Sequence, residues 1–367
     1  MRVTKLFFGL LAAFAWMAFA FSPRAAAPAR ASGPPALDPA GFEVTELGGS
    51  VLTASDRLGL PGAVERVGEY LVLTDGLGEA ALHVVDRRTG EVRSSFGRNG
   101  EGPGEYRAPR SIDAEPGGDA FWVFDIGLQR LTRVELREGL PARRPADSPV
   151  LTLRASAPTT DPIRLAGGHL LALGFYPDGR LAEFDARGTL LRSVGPLPPN
   201  PSGVPPSVLQ QAYLGRMKAR PDRSLLAVGA RYAGEIEIYR ADGTLLHRVS
   251  GPSPVEPRFA VQETSHGPAM ASGDDLRFAY LDVAATRERI YALFSGRTRG
   301  GFPGEANYGE YVHVFDWEGR FLEAFRLDAD AIAIAADESE GRLYAVRHLP
   351  TPAVVEYRLP SMTLAGR

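Results

Sequence analysis

Residue types that commonly carry out chemistry are sparse in this chain, and their spacing matches no metal-binding or catalytic motif. The chain has no cysteine, so neither disulfides nor thiolate metal ligands are available. No two of its six histidines have the spacing of an HxH or HExxH motif. They are His83, His169, His247, His266, His313 and His348. The sequence therefore predicts no metal site, no cofactor and no identifiable catalytic residue.

Three acidic residues offer the alternative of a cation or hydrolase site at the centre of the fold. Glu65, Asp113 and Asp282 lie on strands expected to line a central channel, and a calcium site needs several such oxygen ligands to converge. Only three asparagines could add to them. Acids at these positions also form purely structural ion pairs, and we favour this interpretation over a cation or hydrolase site. The candidate partners are Arg110, Arg164 and Lys218.

Four other aspartates are interpreted as turn caps. Each ends a predicted strand, where a carboxylate accepts hydrogen bonds from the backbone of the following turn. They are Asp75, Asp125, Asp185 and Asp316. The members of a Ser-His-Asp triad can be far apart in sequence, but the chain has no Gly-x-Ser-x-Gly turn. The sequence thus identifies no nucleophile.

The segment Gly100–Gly104, GEGPG, has the composition of a phosphate-binding loop but lacks its other features. It is followed neither by Lys-Ser/Thr nor by a helix, and the neighbouring glutamates would repel phosphate. Pro-Gly is typical of a turn, so a structural connection between sheets is predicted. The alternative is ligand contact by Arg98, Tyr106 or Arg107.

A repeated hairpin pattern supplies the scaffold. Residues 82–97, 181–195, 236–251 and 312–327 alternate apolar and polar residues on both sides of a glycine-containing turn, which is typical of two antiparallel strands. The turn glycines are Gly90, Gly188, Gly243 and Gly319. The first two are 98 residues apart, which fits two units of about 50 residues, a period typical of propeller blades.

The predicted strands fall into five sets of four and a last set of three, with one isolated strand, Phe42–Leu47, in front. If that strand completes the last set, the ring closes and no sheet edge stays open. The sequence therefore predicts an all-β, six-bladed β-propeller of four-stranded antiparallel blades, closed by the N-terminal strand.

Three stretches of the sequence resemble the exported bacterial six-bladed β-propellers of the TolB-like and NHL-like group. They are FGRNGEGPGEYRAP (96–109), VFDWEGRFLEAFRLD (314–328) and ADESEGRLYAV (336–346) with VVEYRL (354–359). The resemblance extends over residues 42–360 but lacks the lipoprotein cysteine frequent in that group. It implies the fold and export, and it brings no catalytic residues with it.

Loop lengths indicate which side of the propeller binds a ligand. With strands a to d counted outward from the channel, the b–c and d–a connections share one face. The long connections 97–109, 195–215, 250–277 and 295–310 all lie there, and we call it the long-loop face; the opposite one is the short-turn face. Such loops are often functional, and folding is expected to tolerate their shortening. The candidate ligand-binding residues are Arg98, Glu105, Tyr106, Arg107, Tyr213, His266, Arg297, Arg299 and Tyr308.

The N-terminus has the layout of a signal peptide over residues 1–31, followed by a flexible tether over 32–40 and the propeller domain over 41–367. Arg2 and Lys5 precede the apolar run Leu6–Phe21, and cleavage is expected after Ala20 or Ala31. An uncleaved membrane anchor is the alternative, and it is disfavoured because the run is shorter than the roughly 20 residues of a membrane span.

The charge balance narrows the choice of partner. Residues 1–31 contain four basic residues and no acid, so their removal takes the net charge from −3 to −7. A mildly acidic protein is a poor match for nucleic acid or anionic lipid. We expect a monomeric, periplasmic or secreted, non-enzymatic propeller that binds a protein or small-molecule ligand through its long-loop face. The alternative is an extracytoplasmic hydrolase or lyase with an acid or metal cluster at the channel mouth.

Overall fold

The repeated hairpins assemble into six sheets that surround a central channel. The computed structural model describes residues 43–200, 203–265 and 267–360, and each blade sheet runs antiparallel from its innermost strand outward. Because side chains alternate across a strand, both faces of a blade can be apolar and pack against its neighbours. The all-β, six-bladed prediction is confirmed.

The first three blades keep close to the predicted strand positions. Two strands precede them, β1 (Val44–Leu47) and β2 (Gly49–Ala54). Blade one is β3 (Pro61–Val67), β4 (Tyr70–Asp75), β5 (Leu82–Asp86) and β6 (Val92–Phe96). The next connection carries the short parallel pair β7 (Arg98–Asn99) and β8 (Glu105–Tyr106). Blade two is β9 (Pro109–Ala114), β10 (Ala120–Asp125) and β11 (Arg130–Arg137), with an outer strand divided into β12 (Leu140–Pro141) and β13 (Val150–Thr152). Blade three is β14 (Thr159–Arg164), β15 (Leu170–Gly174), β16 (Leu181–Phe184) and β17 (Leu190–Val194).

The other three blades are interrupted by larger insertions. A helix, α1 (Pro206–Ala212), precedes blade four, which is β18 (Gly215–Ala219), β19 (Leu225–Ala230), β20 (Glu235–Arg240) and β21 (Leu245–Ser250). The hairpin β22 (Ala260–Thr264) and β23 (Gly267–Ala271) follows. Blade five is β24 (Tyr280–Ala285), β25 (Arg289–Phe294), β26 (Gly309–Asp316) and β27 (Phe321–Ala331), and blade six starts with β28 (Ala333–Asp337), β29 (Arg342–Arg347) and β30 (Ala353–Arg358). Short 3-10 turns lie at Pro145–Asp147 and Ala166–Gly168. Among the described residues, no helix has the length and apolar character needed to span a bilayer.

Ring closure uses a different strand from the predicted one. β2 pairs antiparallel with β30 and supplies the fourth strand of blade six, whereas β1 pairs parallel with β27 as a fifth strand on blade five. The assignment of closure to Phe42–Leu47 was therefore wrong, and its first residue lies outside the described residues. β2 lacks the alternating pattern that marked β1, since its two larger apolar residues, Val51 and Leu52, are adjacent and its register with β30 shifts between Val51 and Thr53.

Apolar clusters between neighbouring blades hold the ring together. One joins Val64 and Leu71 of blade one to Ala333 and Tyr344 of blade six, so it seals the junction where the ring closes. The turn glycines contribute at the periphery. Gly90 has a φ of +74°, and a Cβ there would lie 1.9 Å from the Leu52 carbonyl oxygen of β2. Only glycine meets both demands, which explains the residue that marks each hairpin.

Candidate functional site

Two cationic side chains from blade four extend across the central channel. Arg216 donates from Nη1 to the Arg110 carbonyl oxygen at 3.0 Å. Lys218 forms an ion pair with Glu65 of blade one and donates to the Ile112 carbonyl oxygen at 3.1 Å. Both therefore reach blades on the other side of the ring. They fill the middle of the channel and separate a long-loop mouth from a short-turn mouth.

Acids on the innermost strands of blades two and five each connect their blade to the next one. One carboxylate oxygen of Asp113 accepts the Arg164 N–H at 3.0 Å, and one of Asp282 accepts the Ile334 N–H at 3.0 Å. Asp113 also pairs with the Arg223 guanidinium. Burial raises the pKa of both Asp113 and Asp282.

The structural ion-pair interpretation is thus supported for Glu65 and Asp113, whereas Asp282 has its nearest cationic atom, Arg216 Nε, 3.8 Å from Oδ1. Lys218 is a partner as expected, whereas Asp113 meets the side chain of Arg223 and only the backbone of Arg164. Within residues 43–200, 203–265 and 267–360, no group of three or more His, Asp or Glu side chains is arranged to hold a metal ion.

The short-turn mouth opens into a cavity of about 1000 Å³. The a–b turns of five blades line it, and its walls carry eight carboxylates against five cationic side chains. Several of these are already paired: Arg66 Nε lies 3.1 Å from Asp337 Oδ2, and Arg289 is paired with Glu323 and Glu338. The lining side chains therefore carry an excess of negative charge, which favours a cationic ligand over an anionic one. Loop length gave no indication of this cavity.

The long connection 295–310 is anchored to neighbouring strands by side-chain hydrogen bonds. Arg297 makes two hydrogen bonds to the Asp330 carboxylate, at 2.6 and 2.9 Å. The Tyr308 hydroxyl lies 2.9 Å from His348 Nδ1, and His348 Nε2 lies 2.8 Å from the Pro61 carbonyl oxygen. Because a carbonyl oxygen can only accept, the contact with Pro61 places the proton on Nε2 of His348. Nδ1 therefore accepts a hydrogen bond from the Tyr308 hydroxyl. The connection 295–310 is consequently tied to blades six and one, which argues against the expectation that folding tolerates its shortening.

The candidate ligand-binding residues divide into buried anchors and exposed side chains. Tyr106, Tyr213 and Tyr308 are 2%, 8% and 3% exposed, and their rings pack in the interior. Burial raises the pKa of Tyr308 to about 12. A buried phenol cannot contact an external partner, so these three residues position loops.

The remaining candidates are dispersed. Arg98 Nε donates to Glu105 Oε1 at 2.8 Å, so these two candidates contact each other. Arg107 Nη1 donates to Glu101 at 2.6 Å, and Arg299 donates to Ser272 Oγ at 3.0 Å. His266 lies outside the described residues.

The β22–β23 hairpin is a feature of the long-loop face that loop length alone did not reveal. In the described part of the chain β22 pairs only with β23, and all five of its residues are exposed. β23 rests on α1, where the Met270 N–H donates to Gln211 Oε1 at 3.0 Å. The alternation around Val261 could have indicated a strand, but glycine and proline nearby favoured a loop.

The register shows which backbone groups of β22 point outward. Hydrogen-bonded pairs alternate with open ones along an antiparallel hairpin, and in an open pair the backbone groups point away from the partner strand. The open pairs are Glu263 with Pro268 and Val261 with Met270. Proline has no N–H to donate, and the Met270 N–H is used by α1. The N–H and C=O groups of Val261 and Glu263 therefore face away from β23.

The strand-end aspartates cap turns, as expected. Asp75 accepts the backbone N–H groups of Gly59, Leu60, Leu77 and Gly78, at 2.7 to 3.0 Å. His83 Nε2 lies 3.2 Å from the same carboxylate and His83 Nδ1 lies 2.8 Å from Ser95 Oγ. This Ser-His-Asp chain joins three adjacent strands of blade one. Its carboxylate is committed to four backbone amides, so we interpret it as structural.

Comparison with known proteins agrees with the architecture. A family described as "TolB-like 6-blade propeller-like" matches residues 52–339. None of the curated proteins matches the chain significantly. Among solved structures, a putative exported protein from Bacteroides fragilis NCTC 9343 is 13% identical with a TM-score of 0.51, over 86% of this chain and 95% of that one. The β-propeller domain of Cps50 (Swd1) from Myceliophteria thermophila is 14% identical with a TM-score of 0.48, over 85% and 100% of the two chains. Hydrazine synthase from Kuenenia stuttgartiensis is 11% identical with a TM-score of 0.46, over 83% and 96%. At these identities the likeness concerns the fold alone.

Proposed function

Because this chain belongs to the TolB-like six-bladed propeller family, we propose that it is an exported, non-enzymatic binding protein that holds a protein partner on its long-loop face. The observation that carries the proposal is the outward edge of β22, with the outward-facing backbone groups of Val261 and Glu263. The partner contributes an extended segment that adds a third strand to the hairpin.

The hairpin is suited to this task because it is held in place before binding. Met270 is 7% exposed and belongs to the same apolar cluster as α1. A fixed edge loses little conformational freedom when a partner strand is added. Val261 is 40% exposed, so a paired strand would also cover an apolar side chain.

Export is the second part of the proposal, and it is supported by the basic start and apolar run of residues 1–21. Mass spectrometry of protein from the cell envelope should find the N-terminus between Phe21 and Gly41. Soluble protein that retains Met1 would contradict cleavage.

The partner contact can be tested by photo-crosslinking in intact cells, with a photoreactive residue at position 263. Val261→Pro removes an outward N–H while keeping the bonds within the hairpin, since proline is tolerated at strand edges. Val261→Thr is the matched control, because it changes the side chain and keeps the N–H. We expect one protein adduct with the native residue and with Val261→Thr, and at least tenfold less with Val261→Pro.

The same experiment with the photoreactive residue at Arg88, an exposed position on the short-turn face, should give no such adduct. An unchanged adduct with Val261→Pro, an adduct from position 88 alone, or no adduct at all would overturn the proposal. An adduct with the mass of two copies of this chain would show that β22 binds a second copy of the chain and not a different protein.

A further inference from the structure

We infer that the long-loop mouth of the channel binds an oxyanion, either a carboxylate or a phosphate group, and that Arg110 is the main residue that binds it. Three arginines from two blades stand together there: Arg110 of β9, Arg216 of β18 and Arg231 directly after β19. The site is separate from the edge of β22 and does not depend on the proposed partner.

Arg110 is the member of this arginine cluster with donors to spare. Its Nε donates to the Thr160 carbonyl oxygen of blade three at 2.9 Å, and its carbonyl oxygen accepts from Arg216. Its two Nη atoms have no hydrogen-bond partner among the described residues. The side chain is only partly exposed, so the guanidinium has lost much of its water without gaining an ionic partner.

The other two arginines are already engaged. Arg216 donates to carbonyl oxygens of blades one and two and has its Nε 3.8 Å from Asp282 Oδ1, which is beyond hydrogen-bonding distance. Arg231 donates to Asn307 Oδ1 and lies over the ring of Phe278. Both guanidiniums remain positively charged, however, and in addition to burial their charges lower the pKa of Arg110.

The local charge balance is positive. The carboxylates that act on these arginines are Asp161 on Arg110 and Asp282 on Arg231, and one oxygen of each is occupied by a backbone N–H of the next blade. Two carboxylates thus face three guanidiniums. Burial, and then the charge of Arg216, lower the pKa of Arg110 to about 9. An oxyanion would remove this repulsion.

The geometry of the free donors defines the class of ligand. The two Nη atoms of a guanidinium form a planar fork that fits two oxygens of one carboxylate or phosphate. Such a group could belong to a small metabolite or to an acidic residue at the end of a peptide. Both supply the same chemistry at Arg110.

The test is isothermal titration of the purified chain with inorganic phosphate, with succinate and with an acetylated tripeptide of glutamate, at constant ionic strength. Saturable binding of at least one is expected, and Arg110→Gln should weaken it by about tenfold or more, because a charge-assisted bidentate contact is lost. The matched control is Arg98→Gln, on the same face but 80% exposed, which should leave binding unchanged. Succinate or phosphate binding alone would indicate a small ligand, and preference for the peptide a protein source.

A second measurement covers the case in which Arg110→Gln folds poorly. Phosphate should raise the Tm of the wild type in a saturable way, and Arg231→Gln should reduce this gain. The inference fails if no anion binds saturably, if Arg110→Gln binds as tightly as the wild type, or if Arg98→Gln weakens binding to the same extent.

Discussion

Lys218 of blade four and Glu65 of blade one form an ion pair across the channel of the propeller. They are 153 residues apart in sequence, yet they join the innermost strands of opposite blades. The pair is partly buried, with side-chain exposures of 14% and 23%. It links the two halves of the ring directly and so contributes to the stability of the whole ring.

We therefore expect Lys218→Met to lower the free energy of unfolding by about 2 kcal/mol, between the effects of breaking exposed and fully buried ion pairs. Lys218→Met leaves the Glu65 carboxylate without its cationic partner. The double variant Glu65→Leu with Lys218→Met should therefore lose less unfolding free energy than Lys218→Met alone. Urea denaturation of the four proteins measures this. Strictly additive losses would show that the pair is not coupled.

A second prediction concerns Asp75. Burial raises the pKa of this carboxyl, but the hydrogen bonds from His83 and from the backbone outweigh that effect and lower the pKa to about 2. The unfolded value is close to 4, so the charged form stabilises the fold above pH 4, and this contribution is lost as the pH falls from 4 to 2. The shift from 3.8 to about 2 corresponds to about 2.5 kcal/mol.

Asp75→Asn should lower the stability at pH 7 and also remove this part of the pH dependence. Urea denaturation at several pH values between 2 and 6 measures both effects. Asp56→Asn is a suitable control, since Asp56 is exposed. If the wild type and Asp75→Asn show the same slope in this range, the assigned role of Asp75 is incorrect.

The third prediction separates the two N-terminal strands. A chain that starts at Gly49 keeps β2 and should fold as a closed ring, with a loss of about 3 kcal/mol from the removal of β1 and of the buried Leu47. A chain that starts at Ser55 leaves blade six with three strands and an open edge, and should aggregate. Size-exclusion chromatography and thermal unfolding distinguish the two. Similar behaviour of both truncations would contradict the pairing of β2 with β30.

The fourth prediction tests the anchoring role of Tyr308. Tyr308→Phe keeps the buried ring and removes the hydroxyl that donates to His348, so stability should fall by about 1 kcal/mol. The crosslink from position 263 should be unaffected, because Tyr308 is only 3% exposed. If a stably folded Tyr308→Phe variant loses the crosslink, Tyr308 contributes to partner binding and is not only an anchor of the loop.

The repeated part of this fold could be predicted from sequence because its signals are local. Alternation and a turn glycine within 16 residues identify each hairpin, as in residues 312–327. The closing strand could not be found in the same way. A register shift between Val51 and Thr53 interrupts the alternation in β2, and the strand is held by pairing with β30, about 300 residues later in the chain.

The candidate site was harder to predict than the fold. Tyr106 and Tyr308 stand in loops rich in glycine and charge, and nothing local shows that they point inward. Their burial comes from blades that are distant in sequence, such as the partner His348 of Tyr308. The arginine cluster was missed for the same reason, since Arg110 and Arg216 meet only when the ring has formed.

The parallel pairing of β1 also sets the side of the ring on which the described part of the chain begins. Val44 lies opposite Ala324, near the c–d turn of blade five, and the strand then runs away from that turn. The chain thus enters the ring from the short-turn half of the rim. A label or fusion joined directly upstream of Glu43 would therefore start on the half of the rim that carries the acidic cavity. It would start away from the β22 edge and the arginine cluster, so these two surfaces are best studied with N-terminal labels.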